Sequence, residues 1–105
     1  TYDTPFKGYS ITDAAITFDA ASNNKVSGKF SCTYRGYIFA ALYENATNKF
    51  IGKLEGDCVY NEATSKWEYA FSFESVKKST AYRVRVEAFF PFDSKAVEGT
   101  QTTTA

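Results

Sequence analysis

Histidine and methionine are missing from this chain of 105 residues, and tryptophan occurs only once. Without histidine the commonest general base is gone, and with it the Ser–His and Cys–His nucleophile pairs and most transition-metal sites. The two cysteines are not in CxxC spacing, so a zinc site has no ligand set to build on. No acidic run of the D-x-D-x-D-G kind suggests calcium, and "GKLEGD" holds no phosphate-cradling glycine pattern. Glu55 and Asp57 stand close together, but at a strand boundary, where acidic residues commonly solvate a turn. The expectation is a chain that is not an enzyme and has no cofactor or metal.

Net charge is lacking as well, since 12 basic residues balance 12 acidic ones. Nucleic-acid binders usually carry a basic excess, because phosphate neutralisation drives their affinity, so nucleic acid is not an expected partner. No apolar run approaches the roughly 18 residues of a membrane span, and membrane insertion is not expected either.

What the chain does have is aromatic residues, 18% of the total with eight Tyr and ten Phe. They occur in strand-length runs separated by polar turns. The runs are "AAITFDA" (14–20), "KVSGKFSCTY" (25–34), "YIFAALYE" (37–44), "KFIGKLEG" (49–56) leading into "DCVYN" (57–61), "KWEYAFSFES" (66–75) and "TAYRVRVEAFF" (80–90). "PFDSKAVE" after them reads as a loop, and "GTQTTTA" as a Thr-rich terminal segment. Several runs alternate with period two, which sends one set of side chains to one sheet face. Val26, Gly28, Phe30, Cys32 and Tyr34 share a side. So do Trp67, Tyr69, Phe71 and Phe73, and so do Tyr82, Val84, Val86, Ala88 and Phe90. No run has a helical period. About seven short strands at this spacing predict an all-β antiparallel sandwich, in which two half-apolar sheets hide their faces together. In "YIFAALYE" both parities are apolar, so alternation alone does not choose its buried side.

"VKKSTAYRVRVEA" resembles the late-strand signature of fibronectin type III domains. Val76, Thr80, Tyr82, Val84, Val86 and Ala88 stand in the matching places. The resemblance implies an immunoglobulin-like, fibronectin III-like sandwich. It makes Tyr82 a structural residue, its ring filling the end of the core while its hydroxyl bonds backbone at a corner between strands. "GYIFAALY" is similar to the family's third strand, which implies that Tyr37, Phe39 and Ala41 point inward and that Ile38, Ala40 and Leu42 are exposed. The family's tryptophan lies in its second strand, whereas here Trp67, also read as structural, stands in the sixth run. Lys78 takes the place of the corner proline.

Cys32 and Cys58 fit either one disulfide in an oxidising compartment or two buried thiols, and both readings stay open. Asn45 opens "NAT", a glycosylation sequon on a turn. Arg83, Arg85 and Phe89 share the non-core side of the strand over 80–90, and Phe92 follows in the loop. Arginine and aromatic residues are enriched at interface hot spots, so these four are the candidate binding residues and the loop "FFPFDSKAVEG" over 89–99 the candidate contact region. The competing reading pairs Arg83 and Arg85 with acids across the sheet. Residues 1–105 are read as one monomeric β-sandwich module of a larger secreted or cell-surface protein, acting as a spacer or contacting a protein partner. A carbohydrate-binding module that contacts polysaccharide is the alternative, and an inhibitor that inserts the loop into an enzyme cleft is a third.

Overall fold

Eight strands form among residues 13–74, 76–91 and 93–105, which the computed structural model describes. They are β1 (Ala15–Phe18), β2 (Val26–Cys32), β3 (Tyr37–Glu44), β4 (Lys49–Asp57), β5 (Val59–Asn61), β6 (Lys66–Phe73), β7 (Ala81–Phe89) and β8 (Ser94–Thr102). One sheet has the order β1-β2-β6-β5 and the other β4-β3-β7-β8. Every pairing is antiparallel. The fold is an all-β antiparallel sandwich of eight strands rather than about seven.

The core is what alternation requires. Val26, Phe30 and Cys32 from β2 and Phe71 and Phe73 from β6 meet Ile38, Ala40 and Leu42 from β3 and Tyr82, Val84, Val86 and Ala88 from β7. Phe18 meets Phe71 edge-on at 6.1 Å. Gly28 is needed where β1 crosses close, because a Cβ there would lie 2.5 Å from the Thr17 carbonyl oxygen. The two hairpin turns over 45–48 and 62–65 each end in a left-handed residue, Asn48 (φ 58°) and Ser65 (φ 57°). Short polar side chains tolerate that conformation better than branched ones.

Three sequence expectations are corrected. The first concerns β3, whose core-facing residues are Ile38, Ala40 and Leu42, while Tyr37 is 42% exposed and Ala41, though buried, lies in the outer row with Lys53 and Arg85. This reverses the parity that the resemblance implied. Both parities are apolar, so the choice fell to fit. The smaller aliphatic side chains fill the space between the sheets, and the rings lie outside against cations and other rings. The second concerns the expected loop after residue 90: Phe90 N donates to the Asp93 carbonyl at 2.7 Å, and β8 already begins at Ser94. Most of the expected loop belongs to β8. That strand looked like loop because it is an edge strand, and edges favour charged and polar residues.

The third correction concerns the Thr-rich end, which is part of the fold. Thr103 is buried. Its hydroxyl accepts from Thr80 N at 2.9 Å and donates to the Lys77 carbonyl at 2.5 Å. Tyr82, 1% exposed, accepts a hydrogen bond from Lys77 N at 2.8 Å. Two buried hydroxyls therefore hold the two backbone polar groups of Lys77, where the chain crosses from β6 to β7. The expected N-terminal segment "TYDTPFKG" and Phe92 lie outside the described residues.

Cys32 and Cys58 are free and buried. Burial, the largest effect on each, pushes both thiols above the usual cysteine range. A thiol reagent should therefore label neither in the folded protein and both after unfolding. Immediate labelling of the native state, or no free thiol in the unfolded, unreduced protein, would contradict this arrangement. Phe71→Ala should cost about 3–5 kcal/mol in a denaturant melt, as a core truncation. Phe50→Ala, on the surface, should cost under about 1 kcal/mol. Equal losses for the two would mean that the faces are misassigned.

Candidate functional site

The outer face of the β4-β3-β7-β8 sheet carries Tyr37, Phe50 and Phe89, three of the five large exposed apolar side chains among the described residues. Strand register sets four rows across it. Asp57, Tyr37, Phe89 and Ser94 form one end row, followed by Glu55, Phe39, Glu87 and Ala96. Lys53, Ala41, Arg85 and Glu98 come next, and Phe50, Tyr43, Arg83 and Thr100 form the last. Phe50 reaches this face because a bulge shifts the register between Leu42 and Tyr43, leaving Ile51 as the extra residue. Without the bulge, Phe50 would share the inward parity of Leu54.

The middle rows are an interlocked lattice of charge and rings. Arg83 lies 4.8 Å from the centroid of the Tyr43 ring, and Lys53 lies 5.3 Å from that of Phe39. Phe50 meets Tyr43 edge-on at 5.7 Å. The guanidinium of Arg83 donates to Asn48 Oδ1, and to Asn45 Oδ1 at 3.4 Å. Its buried Nε has no hydrogen bond and makes only a longer contact with Glu98 at 3.7 Å. Arg85 pairs with Glu87 at 3.3 Å and with Glu98 at 4.0 Å. Exposed pairs of this kind contribute about 0–1 kcal/mol each, so the lattice mainly fixes where side chains point.

At the first end row the aromatic surface is open. Tyr37 and Phe89 are opposite each other on neighbouring strands, and Phe89 is 46% exposed. The Tyr37 hydroxyl donates to Glu55 Oε1 at 2.9 Å, and Lys53 Nζ holds Glu55 Oε2 at 2.8 Å. The hydrogen bond from Lys53 and then that from Tyr37 hold the Glu55 carboxyl below its usual range. The same bond to Glu55 raises the Tyr37 phenol above its usual value. At the far end row Phe50 is 52% exposed.

The sequence-expected residues separate here. Arg83, Arg85 and Phe89 do share this face, but the two arginines are engaged by Asn45, Asn48, Glu87 and Glu98, and only Phe89 is open. Tyr37 and Phe50 join Phe89 as exposed rings that sequence reasoning did not select. Tyr37 was placed inward by the resemblance, and only the bulge re-aims Phe50. The sequon residue Asn45 is exposed in the turn between β3 and β4, beside Arg83. Trp67 is half-buried between Tyr60 at 5.3 Å and the Arg35 guanidinium at 5.8 Å. Among the described residues, no three His, Cys, Asp or Glu side chains are grouped so as to hold a metal ion.

Because Glu55 stabilises the neutral phenol, Tyr37 should ionise above the ordinary tyrosine value of about 10. Glu55→Gln removes the charge that opposes the phenolate and should lower that titration point. Absorbance or NMR titration of Tyr37 reads this directly, and an unchanged or higher value in Glu55→Gln would contradict the contact.

No protein-family model matches this chain, and no curated protein matches it. Solved structures of similar shape include these two. One comes from a computer-based redesign of a β-sandwich protein, with TM-score 0.58 and 12% identity over 87% of this chain and 92% of that one. The other is the sensor domain of the anti-sigma factor RsgI4 of Pseudobacteroides cellulosolvens, with TM-score 0.56 and 16% identity over 91% of this chain and 99% of that one. At these identities the likeness shows the β-sandwich fold.

Proposed function

We propose that this chain is a non-catalytic, fibronectin III-like binding module of a larger secreted or cell-surface protein, and that it contacts a protein partner through the outer face of the β4-β3-β7-β8 sheet. The observation that carries this reading is the exposure of Tyr37, Phe50 and Phe89 at the two ends of one rigid sheet face. Flat aromatic anchors held on strands lose little freedom on binding, and arginine and aromatic residues dominate interface hot spots. The strand order supports the immunoglobulin-like part of the reading. Orders β1-β2-β6-β5 and β4-β3-β7-β8 correspond to A-B-E-D and C′-C-F-G. A sensor domain of an anti-sigma factor has a similar fold, which is in keeping with a module that binds rather than reacts.

Size sets a limit on the contact. The face is four strands wide and seven residues long from Tyr37 to Tyr43. At about 4.8 Å per strand and 3.3 Å per residue it offers about 400–500 Å². A standard interface needs about 800 Å² per partner, so the adjoining turns must take part.

The test is a binding panel of extracellular proteins from the source, probed with the wild type and with the Tyr37→Ala, Phe50→Ala, Phe89→Ala triple variant. Saturable binding to a panel protein should fall by about 100-fold or more in the triple variant, as expected when hot-spot rings are removed. Absence of saturable binding by the wild type, or binding that the triple variant retains in full, would overturn the proposal.

A further inference from the structure

A second feature adjoins that face at Asp57, at the corner where the chain changes sheets. β4 ends at Asp57, Cys58 turns into the core, and the chain joins the other sheet as β5. β5 pairs only with Lys66, Trp67 and Glu68 of β6. From Tyr69 onward, β6 has no strand beside it on that edge among the described residues. The space left there is a cleft of about 540 Å³, within the range of small-molecule sites.

Its lining has a definite chemistry. Tyr60 leans on Trp67 with centroids 5.3 Å apart and remains 45% exposed, so it is a braced, open ring. Tyr69 is half-buried and supplies a second ring. Asp57 and Glu62 line the cleft without a hydrogen-bond or ion-pair partner among the described residues. Lys29 and Glu68 face it as a pair at 3.6 Å, and Asn61 and Thr64 hold Glu68 in place at 3.0 and 3.2 Å. An anion meets three carboxylates here. A cation would find Asp57 and Glu62 free, since Lys29 is paired with Glu68, and the salt dependence of binding separates that case from a neutral ligand. A wholly apolar ligand would strip water from charges that it cannot pair. A neutral ring compound rich in hydroxyl groups meets none of these penalties. Its C–H face can lie on Tyr60, and its hydroxyls can donate to the free carboxylates and accept from lysine or phenol.

We infer that the cleft between β5 and the uncovered edge of β6 binds neutral oligosaccharide, with Tyr60 as the stacking platform and Asp57 and Glu62 as hydroxyl acceptors. The cleft meets the protein-contact face at Asp57, but its platform Tyr60 and its acceptor Glu62 are not in that face's rows, and either reading stands without the other.

Isotope-labelled protein titrated with neutral gluco-, xylo-, manno- and galacto-oligosaccharides, and with neutral glycans released from glycoproteins, tests it. The two groups of probes distinguish a polysaccharide source from a protein-linked one. At least one probe should saturably shift the amide resonances of residues 57–62 and 68–70. Tyr60→Ala should weaken that binding by about tenfold or more, while Phe89→Ala leaves it unchanged. Affinity should hold within about twofold between low and high salt, because a neutral ligand releases no counterions. Should Tyr60→Ala fold poorly, Glu62→Gln at an exposed position carries the same test, with weaker binding expected. Lack of any such shift, full binding by a well-folded Tyr60→Ala or Glu62→Gln, or a steep fall with salt would overturn the inference. Loss of binding in Phe89→Ala, with Tyr60→Ala unaffected, would move the ligand to the protein-contact face.

Discussion

The Tyr82 hydroxyl and the Thr103 hydroxyl close on one residue, Lys77, from opposite sides. At that point the chain leaves one sheet and enters the other, and its backbone has no ladder partner to use. Buried polar groups left without partners cost about 1–3 kcal/mol each, so a corner of this kind needs side chains to complete it. Meeting that need also fixes register. Once Tyr82 is held inward, Val84, Val86 and Ala88 follow it into the core, and Arg83, Arg85, Glu87 and Phe89 must face out. A slip of one residue would exchange the two sets.

The outer face is therefore a consequence of the corner. β7 presents its charged side to β3, whose outward residues are Tyr37, Phe39, Ala41 and Tyr43. Rings in water would be a liability on an open sheet, and here cations cover two of them, Lys53 over Phe39 and Arg83 over Tyr43. Each such contact is worth about 0.5–1 kcal/mol at an exposed site, too little to hold a fold but enough to set side-chain positions. What stays uncovered lies at the two ends of the face and, separately, in the corner cleft beside β5. The opposite side of the sandwich is closed by specific contacts. Phe18 packs on Gly99, and Gln101 Nε2 donates to the Asp19 carbonyl at 2.8 Å.

Much of this was legible in the sequence where one parity was oily and the other polar. The runs around Phe30, Phe71 and Val84 declare their buried sides plainly, because rings and aliphatic side chains cluster on one parity while charged and polar ones fill most of the other. The paired apolar parities of "YIFAALYE" declare nothing, and the family resemblance pointed the wrong way for Tyr37 and Phe39. β8 was illegible for a different reason. Of its residues only Val97 adds a large apolar side chain toward the core, and Gly99 must be small to admit Phe18. The aim of Phe50 depends on a bulge, which leaves no mark in a hydropathy pattern. Arg83 and Arg85 are on the expected face, yet their partners Glu98, Asn45 and Asn48 come from segments whose register the sequence does not specify.

A double-mutant cycle between Tyr82→Phe and Thr103→Val tests the corner most directly. If both hydroxyls act on the same residue, the losses in unfolding free energy should be coupled by about 0.5–3 kcal/mol, the range found for neighbouring sites in one network. Strictly additive losses, or a doubly substituted protein as stable as the wild type, would contradict the view that this corner sets the register of the sandwich.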